Sequence, residues 1–400
     1  MATFVSHKRF VTGVLCLWLW TADAAAQSEA WRKYMADGMA AYQQGRYADA
    51  ATALQAAVKE AEAGGPESPA MAYANLNLGM VYQALGRHAE AERLYKHVLV
   101  IMERALGPSH PDVATVINNL ASLYRAQGRY ADAEPLYKRA LVTSETALGL
   151  SHPHVGTSVN NLAELYFAQG RYAEAEPLYK RALAILEGAL GATHPDVATR
   201  LNNLADLYSA QRRYSEAEPL YKRSLAITEK VLGSAHPALA TTLNNLGMLY
   251  QAQSRYAEAE PLHRRALAVF EYALGREHPD VATSLSALAS VYSARGRHAE
   301  AESLYKRALA AREKVLGPGH PAVAGNLNDL ATLYSAQGRY AEAEPLYKRA
   351  ITIAEKAMGP EHPELATGLE NYALLLRQLN RPAEATAIEA RARAIRQKRR

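Results

Sequence analysis

The dipeptide His-Pro returns through most of the sequence at a constant spacing of 42 residues. Its seven copies begin at His110, His152, His194, His236, His278, His320 and His362. A fixed period of this length is typical of repeat proteins, in which each unit packs only against its neighbours. The 400 residues are therefore expected to form one array of similar units and not several unrelated domains.

Weaker matches extend the array at both ends. Ser68-Pro69 lies one period before the first His-Pro pair, and residues 45–50 (GRYADA) repeat residues 128–133. The period predicts four parts: a targeting segment at 1–26, a degenerate repeat at 27–67, seven repeats at 68–361, and a C-terminal capping repeat with a basic tail at 362–400. Polar residues such as Glu389 replace the repeated tyrosines in the last unit, as a solvent-facing cap requires.

Each unit reads as two helices joined by a break. In the unit that begins at His110, Pro111 suits a first helical turn, and Gly128 and Gly149 mark the two helix ends. The first apolar stripe consists of Val113, Ile117, Leu120, Ala121 and Tyr124. The second consists of Ala133, Tyr137, Ala140, Leu141 and Leu148. The short links predict antiparallel neighbours, and stacking buries stripes that one hairpin cannot bury alone.

These repeated residues resemble a known family, the tetratricopeptide (TPR) repeat. The matching positions are Asn119, Leu120, Ala121, Tyr124, Gly128, Tyr130, Ala133, Tyr137 and Ala140. The 42-residue unit is similar to the kinesin-light-chain type of TPR array. The resemblance implies an all-α, right-handed superhelical solenoid of about nine antiparallel helical hairpins. It also implies a concave groove, lined by the first helices, that docks peptides or partner proteins without a catalytic centre.

One departure from kinesin light chains limits what the resemblance implies. Those proteins carry a coiled-coil segment ahead of their repeats, which attaches them to the motor. No heptad pattern precedes the repeats of this sequence. A motor-adaptor role is therefore not expected.

Adjacent asparagines recur on the first helices, although asparagine is a poor helix former. They are Asn118-Asn119, Asn160-Asn161, Asn202-Asn203 and Asn244-Asn245, with further copies at Asn77, Asn328 and Asn371. A helical wheel places each pair away from the apolar stripe, so these residues are not expected in the core. The resemblance implies that they line the groove, where an amide can bond the backbone of an extended peptide. We predict that Arg125, Phe167 and Arg200 complete this lining.

An alternative role for the asparagines is structural. They could hydrogen-bond between neighbouring helices and fix the stacking, or one member of each pair could do so while the other faces the ligand. The unit with Ser286-Ala287 lacks the pair, and it is expected to mark a gap in the binding surface.

Catalytic, metal and cofactor motifs are not found in the sequence. It contains no P-loop, no H-E-x-x-H and no G-x-S-x-G. Histidines at the start of neighbouring first helices lie at least about 8–10 Å apart, too far to share a zinc ion, and are expected to cap their helices. We therefore expect no cofactor, no metal and no enzymatic activity; an enzyme using Glu164 and Asp206 is the disfavoured alternative.

The two ends of the chain differ from its body. A basic run at 7–9, an apolar stretch at 10–20 and small residues up to Ala26 resemble a secretory signal peptide, cleaved after Ala26 or Ala24. The apolar stretch is shorter than the ~20 residues of a membrane span, so no stable insertion is expected after cleavage. Six basic residues lie in the last ten positions. The rest is near neutral, which argues against nucleic-acid binding.

Two functions agree with these features. The first is an exported scaffold or adaptor, periplasmic or secreted and of bacterial type, that binds an extended peptide or a protein partner in its groove. The second is a structural or self-associating solenoid of the cell envelope that acts through its outer surface.

Overall fold

The computed structural model describes residues 28–397, and within that range the regular structure is entirely helical. The all-α class predicted from the repeats is confirmed. The helices are α1 Glu29–Gln43, α2 Tyr47–Ala61, α3 Pro69–Ala84, α4 His88–Leu106, α5 Pro111–Ala126, α6 Tyr130–Leu148, α7 Pro153–Ala168, α8 Tyr172–Leu190, α9 Pro195–Ala210, α10 Tyr214–Leu232, α11 Pro237–Ala252, α12 Tyr256–Leu274, α13 Pro279–Ala294, α14 His298–Leu316, α15 Pro321–Ala336, α16 Tyr340–Met358, α17 Pro363–Gln378 and α18 Pro382–Gln397. The predicted signal peptide lies outside the described residues, as do the last three residues of the basic tail.

The chain divides into two compact units, and the division falls within α9, between Arg200 and Leu201. In the first unit α1 packs on α2, α3 on α4, α5 on α6 and α7 on α8. In the second, α11 packs on α12, α13 on α14, α15 on α16 and α17 on α18. Within each unit the second helix of a hairpin also packs on the first helix of the next hairpin. This consecutive packing is the arrangement predicted from the short links.

Histidine side chains cap the first helices of seven hairpins. The Nδ1 atom of each His-Pro histidine accepts a hydrogen bond from the backbone N–H two residues later, at 3.1–3.2 Å. The following proline occupies the first turn, where a backbone donor is not needed. The predicted capping role is confirmed. Across residues 28–397 no three His, Cys, Asp or Glu residues are grouped so that they could hold a metal ion.

The tyrosines repeated in the second helices are packing residues, as predicted. Tyr137 is almost completely buried, and Tyr95, Tyr179, Tyr221, Tyr305 and Tyr347 are buried at the equivalent positions. Their hydroxyl groups reach polar side chains of the first helix of the same hairpin. The Tyr347 hydroxyl lies 2.9 Å from Thr332 Oγ1, and that of Tyr221 donates to Asp206.

A contact that the sequence analysis did not anticipate joins consecutive hairpins. Arg171 Nη1 lies 2.8 Å from Glu134 Oε2 of the preceding hairpin, and the guanidinium lies 4.0 Å from the Tyr166 ring centroid. The Tyr166 hydroxyl donates to the same carboxylate at 3.2 Å. The same pairing with a carboxylate and a ring recurs at Arg129, Arg255, Arg297 and Arg339. The arginine of the repeated Gly-Arg-Tyr segment was the available signal.

These arginines make the fold sensitive to acid. Hydrogen bonds from Arg339 and then Lys306 lower the pKa of Glu302 to about 2. A carboxylate whose pKa is lower in the folded state stabilises the fold above its unfolded value, about 4.5. That contribution is lost as the pH falls from about 4.5 towards 2.

Removing one such arginine should weaken the stacking. We expect Arg171→Ala to lower the free energy of unfolding by roughly 1 kcal/mol, because a half-exposed ion pair and a cation–π contact are lost together. Arg171→Lys should restore less than half, because an ammonium cannot lie flat on the ring while pairing with the carboxylate. Urea unfolding measures both. The control is Lys180→Ala, which removes an exposed pair with Glu176; an equal loss from that variant would contradict the prediction.

Candidate binding face of the first helices

Each first helix has one side that points away from its apolar stripe. In α5 this side carries Thr115, Asn119 and Ser122, which follow one another at three- and four-residue steps. We call this side, with its equivalents in the other hairpins, the first-helix face. Residues at its edge, such as Asn118 and Arg125, approach the first helix of the next hairpin.

The first asparagine of most pairs joins neighbouring first helices. Asn118 Nδ2 donates to Ser158 Oγ at 3.1 Å, and Asn202 Nδ2 donates to Thr242 Oγ1 at 2.9 Å. Asn244 Nδ2 donates to Ser284 Oγ at 2.6 Å. All three amides are buried. These members of the predicted site therefore have the stacking role that was the alternative.

The unit without the asparagine pair keeps this bond with its partners exchanged. Ser286 occupies the asparagine position of α13, and Asn326 occupies the serine or threonine position of α15. Asn326 Nδ2 donates to Ser286 Oγ at 2.6 Å. The exchange preserves one polar contact between the two helices, which supports a structural role at this position.

Asn160 departs from that pattern because Arg200 replaces the small polar residue beside it. Its amide donates instead to Glu164 Oε1 at 2.9 Å on the same helix. Glu164 Oε2 lies 3.1 Å from Arg125 Nη2, and Arg200 Nη2 donates to Thr157 Oγ1 at 3.3 Å. The face of α7 thus carries a mixed cluster of one carboxylate and two guanidinium groups.

Phe167 lies at the end of α7, three residues after Glu164 of this charged cluster. Its side chain is half-buried, and its ring centroid lies 5.8 Å from that of Tyr172 at the start of α8. The structure therefore leaves part of the ring exposed. Its predicted contact with a ligand stays a prediction.

The second asparagine of each pair is buried more deeply than the sequence suggested. Asn119, Asn161, Asn203 and Asn245 are only 3–6% exposed, so the expectation that the pairs lie outside the core is wrong. The wheel did not include the neighbouring hairpins, which cover both flanks of a first helix. Asn245 Nδ2 is buried without a hydrogen-bond partner among the described residues. Contact of these four residues with a ligand stays a prediction.

The remaining predicted asparagines lie towards the ends of the array and are half-buried. Asn77 Nδ2 donates to the Tyr73 carbonyl of its own helix at 2.9 Å. In the second unit Asn371 Nδ2 donates to Asn328 Oδ1 at 3.0 Å, which joins α17 to α15.

The two acids of the enzyme alternative are both hydrogen-bonded to neighbouring side chains. Glu164 accepts from Asn160 and pairs with Arg125, and Asp206 accepts from Tyr221. These bonds give both acids structural partners within the helical face. Of the helices described, none combines the length and the apolar character needed to cross a membrane.

Two unusual side chains of the second helices escaped the sequence analysis. His263 replaces the packing tyrosine in α12; its Nδ1 lies 2.9 Å from Asn244 Oδ1 and its Nε2 3.0 Å from Gln251 Oε1. Arg312 of α14 extends between first helices and donates to Asn326 Oδ1 at 2.7 Å and Thr283 Oγ1 at 2.9 Å. His263 breaks the 42-residue repeat in the sequence, which was the signal available, whereas the position of Arg312 varies from hairpin to hairpin and gave no signal.

Comparison with known families agrees with this architecture. A model described as tetratricopeptide repeat matches residues 38–99, 70–142, 155–230, 210–271, 238–314, 280–356 and 322–398, and a second model of that description matches residues 118–189. The chain therefore belongs to the tetratricopeptide repeat family. Such repeats form scaffolds suited to protein–protein interaction. No curated protein matches the sequence at a significant level.

Solved structures include similar repeat proteins. BtubC (BKLC) from P. vanneervenii is 28% identical, over 58% of this chain and 93% of that chain, with a TM-score of 0.47. A kinesin light chain of Podosopora anserina with nearly identical TPR-like repeats is 30% identical, over 51% and 97%, with a TM-score of 0.43. The predicted resemblance to tetratricopeptide repeat proteins is confirmed by the two family models. A Rap protein complexed with Competence and Sporulation Factor is 14% identical, over 93% and 98%, and its TM-score of 0.62 shows a similar fold.

Proposed function

We propose that this TPR protein is an exported scaffold or adaptor that binds an extended peptide segment of a partner on its first-helix face. The proposal rests on the different contacts that the two asparagines of each pair make. Three of the four first members bond the next first helix, whereas the second members lie on the first-helix face, where Asn245 keeps an amide donor without a hydrogen-bond partner. A buried donor without a partner is costly, and a peptide carbonyl that displaced the side chains covering it would satisfy it.

The polar character of the face favours a peptide backbone as the ligand. Amide groups offer both donors and acceptors, so they can bond an extended chain without selecting its side chains. The mixed cluster of Arg125, Glu164 and Arg200 adds charges of both signs. The Rap structure with Competence and Sporulation Factor is a fold of the same kind solved with a bound factor.

The peptide proposal can be tested with two matched quadruple variants. One changes the second asparagines to alanine: Asn119, Asn161, Asn203 and Asn245. The other changes the first asparagines: Asn118, Asn160, Asn202 and Asn244. Each full-length protein is incubated with a library of short synthetic peptides, and retained peptides are identified by mass spectrometry. We expect the second-asparagine variant to melt near the native protein but to lose the retained peptides.

The first-asparagine variant is the control for stability. It should melt at a lower temperature, because it removes buried hydrogen bonds that join neighbouring helices. Retention of the same peptides by the second-asparagine variant would contradict the proposal. So would a native protein that retains no peptide and whose mass rises with concentration, the result expected of a self-associating solenoid.

Export is the part of the proposal that depends on the N-terminal segment. The full-length protein should be processed when expressed in a bacterium with a periplasm, and its mature N-terminus should follow Ala26 or Ala24. Mass spectrometry of the fractionated protein measures this. A full-length, unprocessed protein in the cytoplasmic fraction would contradict export while leaving peptide binding unaffected.

A further inference from the structure

The first-helix face of the second unit carries small side chains where the asparagine pair is missing, and we call this small-residue patch the recess. Ala287 and Ser290 of α13 occupy positions that hold asparagine and a larger residue in the preceding helix, α11. Gly325 of α15 replaces the threonine found at this position in α11 and α13. A Cβ atom at Gly325 would meet no atom within 4 Å, so the space beside it is open.

Hydrogen bonds hold the helices around this recess in place. Asn326 Nδ2 donates to Ser286 Oγ at 2.6 Å and joins α15 to α13. Gln251 Nε2 of α11 lies 3.5 Å from the Ala287 carbonyl oxygen, while His263 holds its Oε1 at 3.0 Å. These bonds hold α11, α13 and α15 together around the small residues. The helices therefore cannot move closer to fill the space that the small residues leave.

Asp329 lies on the same side of α15 as Gly325, one helical turn further along. The nearby guanidinium of Arg312 donates its hydrogen bonds to Asn326, Thr283 and the Ala322 carbonyl. No Lys, Arg or His of residues 28–397 forms an ion pair with Asp329. The carboxylate next to the recess thus has no cation in direct contact.

The charged surroundings of Asp329 are negative on balance. Arg312 and Tyr305 approach it from α14 and Tyr347 from α16, while Asp280 of α13 is a second acid near Arg312. Burial raises the pKa of Asp329 to about 6, and Arg312 only partly opposes that rise. Burial likewise raises the pKa of Asp280 to about 6. Two carboxylates therefore share one guanidinium.

We infer that this recess is a specificity subsite for one basic side chain, lysine or arginine, of the bound peptide. The inference rests on the proposed peptide-binding function. The aliphatic part of the side chain lies over Ala287 and Ser290, and its cationic end reaches the carboxylate of Asp329. Long basic side chains combine an apolar stem with a charged end, so they suit a small-residue surface that ends at an acid.

Asn245 supplies an independent indication of a ligand at this place. It lies on the first-helix face of α11, beside the recess, is 95% buried, and has an Nδ2 atom without a partner. The carbonyl of the peptide residue next to the basic one would accept from this amide. Met248 lies about one helical turn beyond Asn245 on α11 and offers apolar surface on the same side.

The test uses the full chain and a set of peptides that differ at one position. The position holds lysine, arginine, norleucine or glutamate in an otherwise constant sequence taken from the retained library peptides. Fluorescence anisotropy measures each affinity. We expect the basic peptides to bind roughly tenfold more tightly than the norleucine peptide, because the cation meets a partly desolvated carboxylate. The preference should decline as the pH falls below about 6, where Asp329 becomes protonated.

Three variants test separately the charge of Asp329 and the space that the small side chain of Ala287 leaves. Asp329→Asn, the residue that other hairpins carry here, should abolish the preference and its pH dependence. Ala287→Asn should weaken the basic peptides by filling the recess while leaving the carboxylate intact. Asp132→Asn is the control, since that acid lies on a second helix, pairs with Arg129 and should leave the preference unchanged. Circular dichroism and melting confirm that each variant is folded.

The outcomes distinguish this inference from the function on which it rests. Peptides that bind with equal affinity whether the variable residue is basic or norleucine would overturn the subsite and leave peptide binding intact. A folded Asp329→Asn variant that still prefers basic peptides over the norleucine peptide would also contradict the subsite. A native protein that binds no library peptide would overturn both proposals.

Discussion

Tyr137→Ala should lower the free energy of unfolding by about 3–5 kcal/mol, the range found when a large aromatic side chain is removed from a protein core. Tyr137 is 1% exposed and fills the space between its own hairpin partner and the next hairpin. Few side chains nearby can move into the vacated volume, because first helices on both sides are fixed by buried amide contacts. Urea unfolding followed by circular dichroism measures the loss.

Tyr272 provides the matched control on the surface of the same protein. It is also a tyrosine of a second helix, but it is 83% exposed. Tyr272→Ala should change the free energy of unfolding by no more than about 0.5 kcal/mol, as is usual for surface substitutions. Similar losses of unfolding free energy from the two substitutions would show that the repeated tyrosines do not stabilise the core. Because hairpins of a repeat array can unfold separately, the fit should allow more than one transition.

The periodic part of the fold could be predicted from the sequence because each hairpin repeats the same local rules. His110 and Pro111 start a helix, Gly149 ends one, and Tyr137 marks the packed side. Seven copies of that pattern remove the ambiguity that any single copy would leave. The prediction was therefore strongest for the features that depend only on residues close together in the sequence.

The candidate face was predicted less well because it depends on residues about 40 positions apart. A helical wheel for α5 treats Asn118 and Asn119 as exposed, since it contains no neighbouring helix. In the structure Ser158 of the next hairpin covers Asn118 and accepts its hydrogen bond. The exchange of Ser286 and Asn326 could have been found by comparing positions 40 residues apart.

Departures from the repeat were harder to interpret than the repeat itself. His263 is visible in the sequence as a replaced tyrosine, but its meaning depends on Gly247 of the facing helix. That glycine also replaces the alanine of most other units. A Cβ atom at position 247 would come within 2.6 Å of the His263 ring, and this close approach requires coordinates to recognise.

Gly247→Ala should destabilise the protein by about 1–3 kcal/mol, although alanine is the better helix former. A Cβ atom at Gly247 would lie 2.6 Å from His263 Cε1 and 2.7 Å from its Nε2. The imidazole is fully buried and bonded on both sides, to Asn244 and Gln251, so it cannot turn away without losing those bonds. Thermal and urea unfolding of the full chain measure the change.

Gly325→Ala is the matched control, because it makes the same substitution in the interior of another first helix. No atom lies within 4 Å of a Cβ atom there, so only helix propensity changes, and the variant should gain about 0.5–1 kcal/mol. In a His263→Ala background, Gly247→Ala should lose most of its cost, since the clashing ring is gone. A Gly247→Ala variant as stable as Gly325→Ala, or one equally destabilised with and without His263, would show that this close approach does not determine the hairpin's packing.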